Sequence, residues 1–280
     1  MSAPAFIRSG AAPLHEEERA LIRVGTLGQE APWRQGLLHD RPNDVLIWMT
    51  RGQGRVSLNG VRRGVGTDNA LFLPAGTLIS VEMGPQSLGL MVQSPAGLTA
   101  RLPEAPQHLR VRDSLAQAEL TGTIEAMQRE LSKARPLVQD ALEAHVQLIA
   151  VWLHRQIAEG VADSHKDSAG QRIVRQYAQA LVRDFRSDLG IAGYAAALGV
   201  TATHLSRVCR EACGKSAAEM LAERKLHEAR RLLDLPQPPV GRIAGMLGFH
   251  SAPYFTRFIR NHTGQSPTEL RRGDKRLTSR

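Results

Sequence analysis

The sequence predicts an α+β protein in which a small antiparallel β-barrel comes first and helices follow. Three observations lead to this prediction. Residues 37–94 alternate like strands between closely spaced turns, residues 114–160 repeat apolar side chains at helical spacing, and two similar helix-turn-helix patterns lie about 50 residues apart in the last third of the chain. At 280 residues, the chain is long enough for two domains.

The first segment, residues 1–30, has no clear period and contains the acidic cluster Glu16–Glu18, so we expect it to be loosely structured. It lacks an apolar run long enough for a signal peptide, and no segment of the chain approaches the length of a membrane span. Two cysteines exclude a disulfide framework. These features predict a soluble, cytoplasmic protein with no membrane partner.

Short strands are expected between residues 37 and 94. The run Val45–Thr50 is rich in β-forming residues, Arg55–Leu58 alternates, and Asn59-Gly60 is the strongest short hairpin signal. Further strands are expected next to turn residues, at Leu71–Gly76, Leu78–Glu82 and Leu88–Gln93. Many short strands with even turn spacing favour a barrel or jelly roll.

Two helices are predicted next, Ser114–Ala134 and Leu137–Glu159, separated by Pro136. The second helix carries a wide apolar stripe, formed by Val138, Leu142, Val146, Ile149, Trp152, Leu153 and Ile157. This stripe would pack on the barrel or form an interface between two subunits, and its pattern does not separate these alternatives. Residues 162–170 are small, polar and aperiodic, which is typical of a linker, and a helix over Gln171–Phe185 follows them.

The segment that organises the C-terminal part is Gly241–Arg271. A short apolar helix is expected to end at Gly248, and Ser251 can cap a second helix with Pro253 in its first turn. The apolar stripe of the second helix consists of Phe255, Phe258 and Ile259. The outer face is basic, so the pattern predicts a helix-turn-helix whose second helix can enter a DNA major groove.

A second copy of this pattern begins at Tyr194. Gly199 forms the turn, Thr201 caps the next helix, and Arg207 lies six residues beyond its cap, as Arg257 does in the later unit. The inward stripe of this helix is Leu205, Val208 and Cys209. A long helical pattern ending before Pro236 joins the two units.

The positive charge of the chain is concentrated in the same region. Residues 171–280 contain 19 Lys/Arg and 9 Asp/Glu, a net of +10, whereas residues 1–170 contain 17 and 18, a net of −1. Such an excess is typical of a domain that contacts nucleic-acid phosphates. The tail Arg271–Arg280 accounts for part of it, but the excess also extends through the helices.

Two stretches in the C-terminal part match a known family nearly position for position. ARRLL at Ala229–Leu233 and IAGMLGFHSAPYFTRFIRNHTGQSP at Ile243–Pro267 resemble the tandem helix-turn-helix domain of AraC/XylS bacterial transcription regulators, and the resemblance covers about Ile173–Arg272. It implies a sequence-specific transcription regulator that binds double-stranded promoter DNA, responds to a small-molecule effector, recruits RNA polymerase, and forms a homodimer through the helices at 114–161.

The predicted strands are similar to the cupin-like effector domain of many such regulators, on the basis of LIWMTRGQGRVSLNG at Leu46–Gly60 and DNALFLPAGT at Asp68–Thr77. Metal-binding cupins need several histidines and a glutamate. Here His39 is the one histidine near the expected positions, and Ile79 stands where another is expected. We therefore expect no metal, no cofactor and no cupin enzyme chemistry.

Effector contacts are harder to assign. His39 is either a surface or hydrogen-bonded residue or an effector contact, and Trp48 is a candidate for the inward-facing half of the strands.

The resemblance also implies which residues contact DNA. Base contacts are expected from Thr203, Ser206 and Arg207 in the first unit and from Ala252, Pro253, Thr256 and Arg257 in the second, with His204 and His250 nearby. Phosphate contacts are expected from Arg210, Ser251, Arg260 and Lys215. Each arginine could give a bidentate contact to guanine, whereas Ala252 and Pro253 lack polar side-chain atoms. For Arg210 and Arg260, simple solvated charge is the alternative.

The predicted domains are a barrel at 1–113, a helical dimerisation segment at 114–161, a linker at 162–170 and a DNA-binding domain at 171–280. No catalytic motif is present, so we expect no enzyme. An architectural or DNA-repair protein with the same DNA-binding module is the alternative to a regulator. Cys209 and Cys213 could sense redox state, but Cys209 falls at a position that requires a buried apolar residue.

Overall fold

The computed structural model describes residues 21–28, 31–98, 100–133, 135–162 and 167–277, with side chains described through residue 273. The predictions for Glu16–Glu18, Ala134, linker residues 163–166 and tail residues 278–280 lie outside the described residues. The strands are β1 (Arg23–Thr26), β2 (Asn43–Arg51), β3 (Gln53–Leu58), β4 (Val61–Gly66), β5 (Asn69–Leu73), β6 (Ile79–Met83), β7 (Leu88–Pro95) and β8 (Gln107–Arg110). The helices are α1 (Pro32–Gly36), α2 (Ser114–Lys133), α3 (Val138–Ala158), α4 (Ala169–Asp184), α5 (Ile191–Ala197), α6 (Ala202–Cys213), α7 (Ala217–Asp234), α8 (Val240–Met246), α9 (Ala252–Thr263) and α10 (Pro267–Leu277).

The N-terminal half contains two antiparallel sheets, one ordered β1-β7-β2-β5-β8 and the other β4-β3-β6. Alternate residues of both sheets form a shared apolar core, formed by Val45, Ile47, Met49, Val56, Leu58, Val65, Leu71, Leu73, Ile79, Val81 and Met91. The hairpin at Asn59-Gly60 is confirmed, because Leu58 pairs with Val61 and both turn residues have positive φ. The α+β fold class with antiparallel β-structure first is therefore confirmed.

Three short elements differ from the sequence prediction. β1 lies within the segment expected to be loosely structured, and β8 and α1 were not expected. Each strand has only four residues and lies at an edge of the five-stranded sheet, so neither carries enough alternation to be recognised. The five-residue α1 begins with Pro32, which suits a first helical turn.

The helices α2 and α3 cover the outer face of the five-stranded sheet. Leu142, Val146, Ile149 and Leu153 of α3 are buried in a core that also contains Trp48 and Phe72 from the sheet. The predicted apolar stripe of α3 therefore packs within the subunit. This packing accounts for the stripe without a second subunit.

Within residues 167–277, the described part of the C-terminal half contains seven helices, α4 to α10. Its first core surrounds Tyr177 and Leu205, and its second surrounds Phe255 and Leu232. The start of α4 differs from the prediction, since Ser168 forms a capping box with Gln171 and residues 169–170 already belong to the helix rather than to a linker. Among the described helices, none combines the length and apolar composition that a bilayer-spanning helix requires.

The two halves pack directly against each other. Leu38 and Leu78 of the N-terminal half are buried in the first core of the C-terminal half. A carboxylate oxygen of Asp40 lies 2.5 Å from a guanidinium nitrogen of the buried Arg224 on α7. α7, which joins the two helix-turn-helix units, is thus held by the segment that follows α1.

Candidate nucleic-acid interface

The first unit positions α6 through both of its ends and its inner face. The hydroxyl of Thr201 accepts a hydrogen bond from the amide of His204 at 3.1 Å, and Gly214 ends the helix in the left-handed conformation with φ 80°. Leu205 and Cys209 are fully buried on the inner face. This anchoring fixes the rotation of α6 and so determines which side chains face outward.

The outward face of α6 contains the predicted residues. Thr203, Arg207 and Arg210 are exposed, and His204 and Ser206 are half-buried. Nη1 of Arg207 lies 2.5 Å from Glu211, and its Nη2 lies 3.2 Å from Nδ1 of His204. An exposed ion pair of this kind contributes only about 0.3–0.5 kcal/mol, so DNA can replace it.

The second unit repeats this construction in α9. Ser251 caps the helix by accepting a hydrogen bond from the amide of Tyr254 at 3.3 Å, and Gly264 ends it with φ 74°. Phe255 and Ile259 anchor the inner face and are fully buried. The predicted turn, cap and stripe of this unit are confirmed, with Gly248 at φ 67° in the turn.

The outward face of α9 differs chemically from that of α6. Ala252, Pro253 and Arg257 are exposed and Thr256 is half-buried. Asn261 stands at the position that corresponds to Glu211, so the carboxylate beside the first arginine has no equivalent here.

Tyr254 is a surface residue that the sequence reasoning missed. Its side chain is 57% exposed at the start of α9, and its ring lies 5.9 Å from Phe249. Its ring and hydroxyl group add aromatic surface and a polar atom to the start of α9, where Ala252 and Pro253 have no polar side-chain atoms. The signal was available, because Tyr254 occupies the position of His204 in the first unit.

The flanking basic residues do not all lie on the same side. His250, Ser251 and Arg260 are exposed at or near α9. Lys215 differs from the prediction: its Nζ lies 2.8 Å from Glu223, and it lines a small cavity beside Arg62 of the three-stranded sheet. It therefore faces the N-terminal half rather than the outward face of α6.

The two cysteines are free and buried in the first core. Burial raises the pKa of Cys209 to about 12, with the neighbouring Cys213 adding to the effect, and burial also raises the pKa of Cys213. Both thiols therefore remain protonated, which favours the structural interpretation over redox sensing. Among the described residues there is no group of three or more His, Cys, Asp or Glu arranged to hold a metal ion.

The two candidate effector contacts, Trp48 and His39, are both buried and hydrogen-bonded. Trp48 is on the face of β2 opposite the core between the two sheets, and its indole N–H donates to Thr121 of α2 at 3.0 Å, so the prediction that it faces inward is wrong. His39 is not a surface residue. It is 3% exposed, hydrogen-bonded to the carbonyl oxygen of Leu37, and stacked on His227 of α7.

Comparison with known proteins agrees with this geometry. A family model described as a helix-turn-helix domain matches residues 194–273. The arabinose operon regulatory protein of Escherichia coli (strain K12) is 29% identical over 87 residues, which are 31% of this chain and 30% of that protein. Over its helix-turn-helix region the chain is therefore similar to regulators of the AraC type.

Other relatives match more of the chain. An uncharacterised HTH-type transcriptional regulator of Escherichia coli (strain K12), YijO, is 26% identical over 219 residues, which are 73% of each chain. Among solved structures, a variant of ToxT from Vibrio cholerae in its apo form covers 89% of this chain and 96% of its own, at 14% identity and a TM-score of 0.44. The C-terminal domain of AraT, a response regulator from Geobacillus stearothermophilus, is 28% identical over 38% of this chain and 88% of its own, with a TM-score of 0.36.

Proposed function

We propose that this regulator recognises promoter DNA with the outward faces of α6 and α9. The observation that carries the proposal is that each helix is capped at its start and presents an exposed arginine, Arg207 or Arg257, six residues beyond its cap. Each arginine would contact guanine. The supporting residues would be Thr203, His204, Ser206 and Arg210 in the first unit and His250, Ser251, Ala252, Pro253, Thr256 and Arg260 in the second, with Tyr254 added.

The test begins with selection of binding sites from random duplex DNA, followed by affinity measurements on the selected site. Arg207→Ala and Arg257→Ala should each weaken specific binding about 5- to 150-fold, since a bidentate contact to guanine contributes about 1–3 kcal/mol of discrimination. Non-specific binding should change much less. Arg129→Ala on α2 removes the same charge from an exposed side chain and is the control. Unchanged specific affinity in both variants would refute the assignment of the recognition face.

The roles that we propose for the segments of the chain follow the predicted domains. Residues 1–113 would bind a small-molecule effector, 114–161 would dimerise, 162–168 would link the halves, and 169–280 would bind DNA and recruit RNA polymerase. An effector changes regulation only if it binds one arrangement of the halves more tightly than another.

The groove in the N-terminal half that could hold an effector is lined by polar side chains, which favours a polar ligand. The interior between the sheets is filled by the apolar core described above. A groove of about 800 Å³ instead lies at the ends of β3, β4 and β6. Its polar side chains are Gln53, Arg55, Asn69, Glu82 and Arg110. These groups suit a small molecule that both donates and accepts hydrogen bonds.

Dimerisation would use the solvent-facing side of α3, because its other side is buried. Leu148 and Val151 are 58% and 48% exposed, and a groove of about 580 Å³ lies beside Val151 and His154. Exposed apolar side chains at helical spacing are typical of an interface between subunits.

Leu148→Glu should therefore shift the chain from dimer to monomer in sedimentation equilibrium, because it places a charge in an apolar interface. Leu88→Glu, which changes an equally exposed leucine on β7, should leave the mass unchanged. A wild-type protein that is monomeric at micromolar concentration would contradict this proposal.

A further inference from the structure

The interface between the two halves contains a pair of stacked histidines. His39, which follows α1, and His227, on α7, have ring centroids 4.6 Å apart and planes inclined by 11°. Both side chains are buried, at 3% and 9% exposure, and the ring of Trp33 lies 5.5 Å from that of His227. The pair thus joins the N-terminal half to the helix that connects the two DNA-binding units.

Main-chain carbonyl groups fix the proton positions on both rings. Nδ1 of His39 lies 2.8 Å from the carbonyl oxygen of Leu37, and Nε2 of His227 lies 3.1 Å from that of Arg34. A carbonyl oxygen only accepts hydrogen bonds, so each of these nitrogens carries a proton. The other nitrogen of His227, Nδ1, is buried and has no hydrogen-bond partner among the described residues. A second proton there would have no acceptor.

The charged groups around His227 also oppose its protonation. A cavity of about 350 Å³ lies beside the ring, between β1, the segment after α1, β7, the loop after α4 and α7 itself. The charged side chains that line it are Arg23, Arg41, Arg186, Arg224, Arg231, Asp40 and Glu228. Of these, the charge of Arg224 lowers the pKa of His227, whereas that of Glu228 raises it. On the α1 side, Arg34 pairs with Asp234, and Arg230 lies over the ring of Trp33.

The same surroundings keep the nearby carboxylate ionised. Burial alone would raise the pKa of Glu228, but the hydrogen bond and charge of Arg231, together with Arg224 and Arg186, hold that pKa below its usual value. Burial, together with the neighbouring His39 and Arg224, lowers the pKa of His227 to about 2. His227 is therefore neutral in the docked arrangement at any physiological pH.

We propose that the stacked pair His39–His227 makes the docking of the two halves sensitive to acid, because the ring of His227 is neutral when docked and free to take up a proton when the halves separate. This regulation by protons goes beyond the proposed function and depends only on the docked arrangement. The proposed effect acts on α7, the helix between the two recognition helices. When the two halves separate, α7 loses its contacts with the N-terminal half.

The direction of the effect follows from the two protonation states. An exposed histidine has a pKa of about 6.5, so above about pH 6.5 the docked and separated forms bind equal numbers of protons at His227. Between about pH 6.5 and 2 the separated form binds one more proton, so docking weakens as the pH falls. From pH 7.5 to 5.5, the ratio of separated to docked molecules should rise about tenfold through His227 alone.

The test is the rate at which diethyl pyrocarbonate modifies individual histidines of the full chain, followed by mass spectrometry. The reagent attacks neutral, accessible imidazoles, so the rate at a buried histidine divided by the rate at the exposed His262 reports the fraction separated. We expect this ratio to rise at least about tenfold from pH 7.5 to 5.5 for His227 and His39. His108, buried on β8, monitors unfolding of the N-terminal half and should not change.

His227→Gln gives the matched variant, since its amide can still donate to the carbonyl oxygen of Arg34 but does not titrate. In this variant the acid-induced rise at His39 should be about tenfold smaller than in the wild type, whereas His145→Gln on α3 should preserve the wild-type rise. A constant ratio at His227, a parallel rise at His108, or a rise at His39 that is unaffected by His227→Gln would each overturn the proposal.

Discussion

A single glycine serves two purposes at the contact between the halves. Gly60 ends the Asn59-Gly60 hairpin with φ 75°, a conformation that favours glycine. A Cβ atom added there would lie 2.5 Å from Cγ1 of Val174 on α4. The same residue therefore closes the turn and allows α4 to approach it.

Gly60→Ala should lower the free energy of unfolding by more than Gly76→Ala does. Gly76 has nearly the same φ, 77°, but no atom lies within 4 Å of the Cβ that alanine would add. Gly76→Ala should cost about 1–3 kcal/mol from backbone strain alone, and Gly60→Ala should add the cost of the overlap with Val174. Denaturant titration measures both, and equal losses would show that the contact between the halves does not depend on this glycine.

At the scale of elements, the two helix-turn-helix units have equivalent turns in unequal surroundings. Gly199 and Gly248 both have positive φ, 68° and 67°. A Cβ atom at Gly199 would meet no atom within 4 Å, whereas one at Gly248 would lie 2.3 Å from the carbonyl oxygen of Ser187. The turn of the second unit is thus packed against the loop after α4, which helps to fix its orientation relative to the first.

Gly248→Ala should therefore displace α8 and α9 and reduce specific DNA affinity at least tenfold, because a carbonyl oxygen of the main chain cannot move aside as a side chain can. Gly199→Ala should cause only the backbone strain common to both turns. The affinity of each variant for the selected DNA site distinguishes these two outcomes. Equal affinities of the two variants would mean that the packing at Ser187 does not position the second unit.

The local signals explain why these units could be predicted from sequence. The caps Thr201 and Ser251 and the turn glycines lie within a few residues of the structure they determine. Which side chains of β2 face the core between the two sheets was not predictable in this way. Val45–Met49 is an unbroken apolar run because both faces of the strand are buried, one against the second sheet and one under α2. The run therefore gave no sign of which side Trp48 faces.

At the scale of the whole molecule, the ion pair between Asp40 and Arg224 connects positions 184 residues apart. Arg224 is 3% exposed, and its guanidinium also lies 3.8 Å from the centroid of the Phe185 ring. No local pattern in the sequence indicates such a contact, and the burial of His39 in the same interface was missed for the same reason.

Asp40→Asn should lower the free energy of unfolding by about 3 kcal/mol, because it removes one partner of a buried charge pair and leaves Arg224 less well compensated. Glu125→Gln breaks an exposed pair with Arg129 and should cost less than about 0.5 kcal/mol. Denaturant unfolding of both variants measures the difference. A loss at Asp40 no larger than that at Glu125 would show that the interface contributes little to stability.

The central claim is that two recognition helices of one chain bind DNA side by side, each through one arginine. Its most direct test is methylation interference at guanine N7 on the selected DNA site. We predict two clusters of interfering guanines about 10 base pairs apart for each bound chain, with Arg207→Ala abolishing interference in one cluster and Arg257→Ala in the other. A single cluster per chain, or two clusters that persist in both variants, would contradict the account.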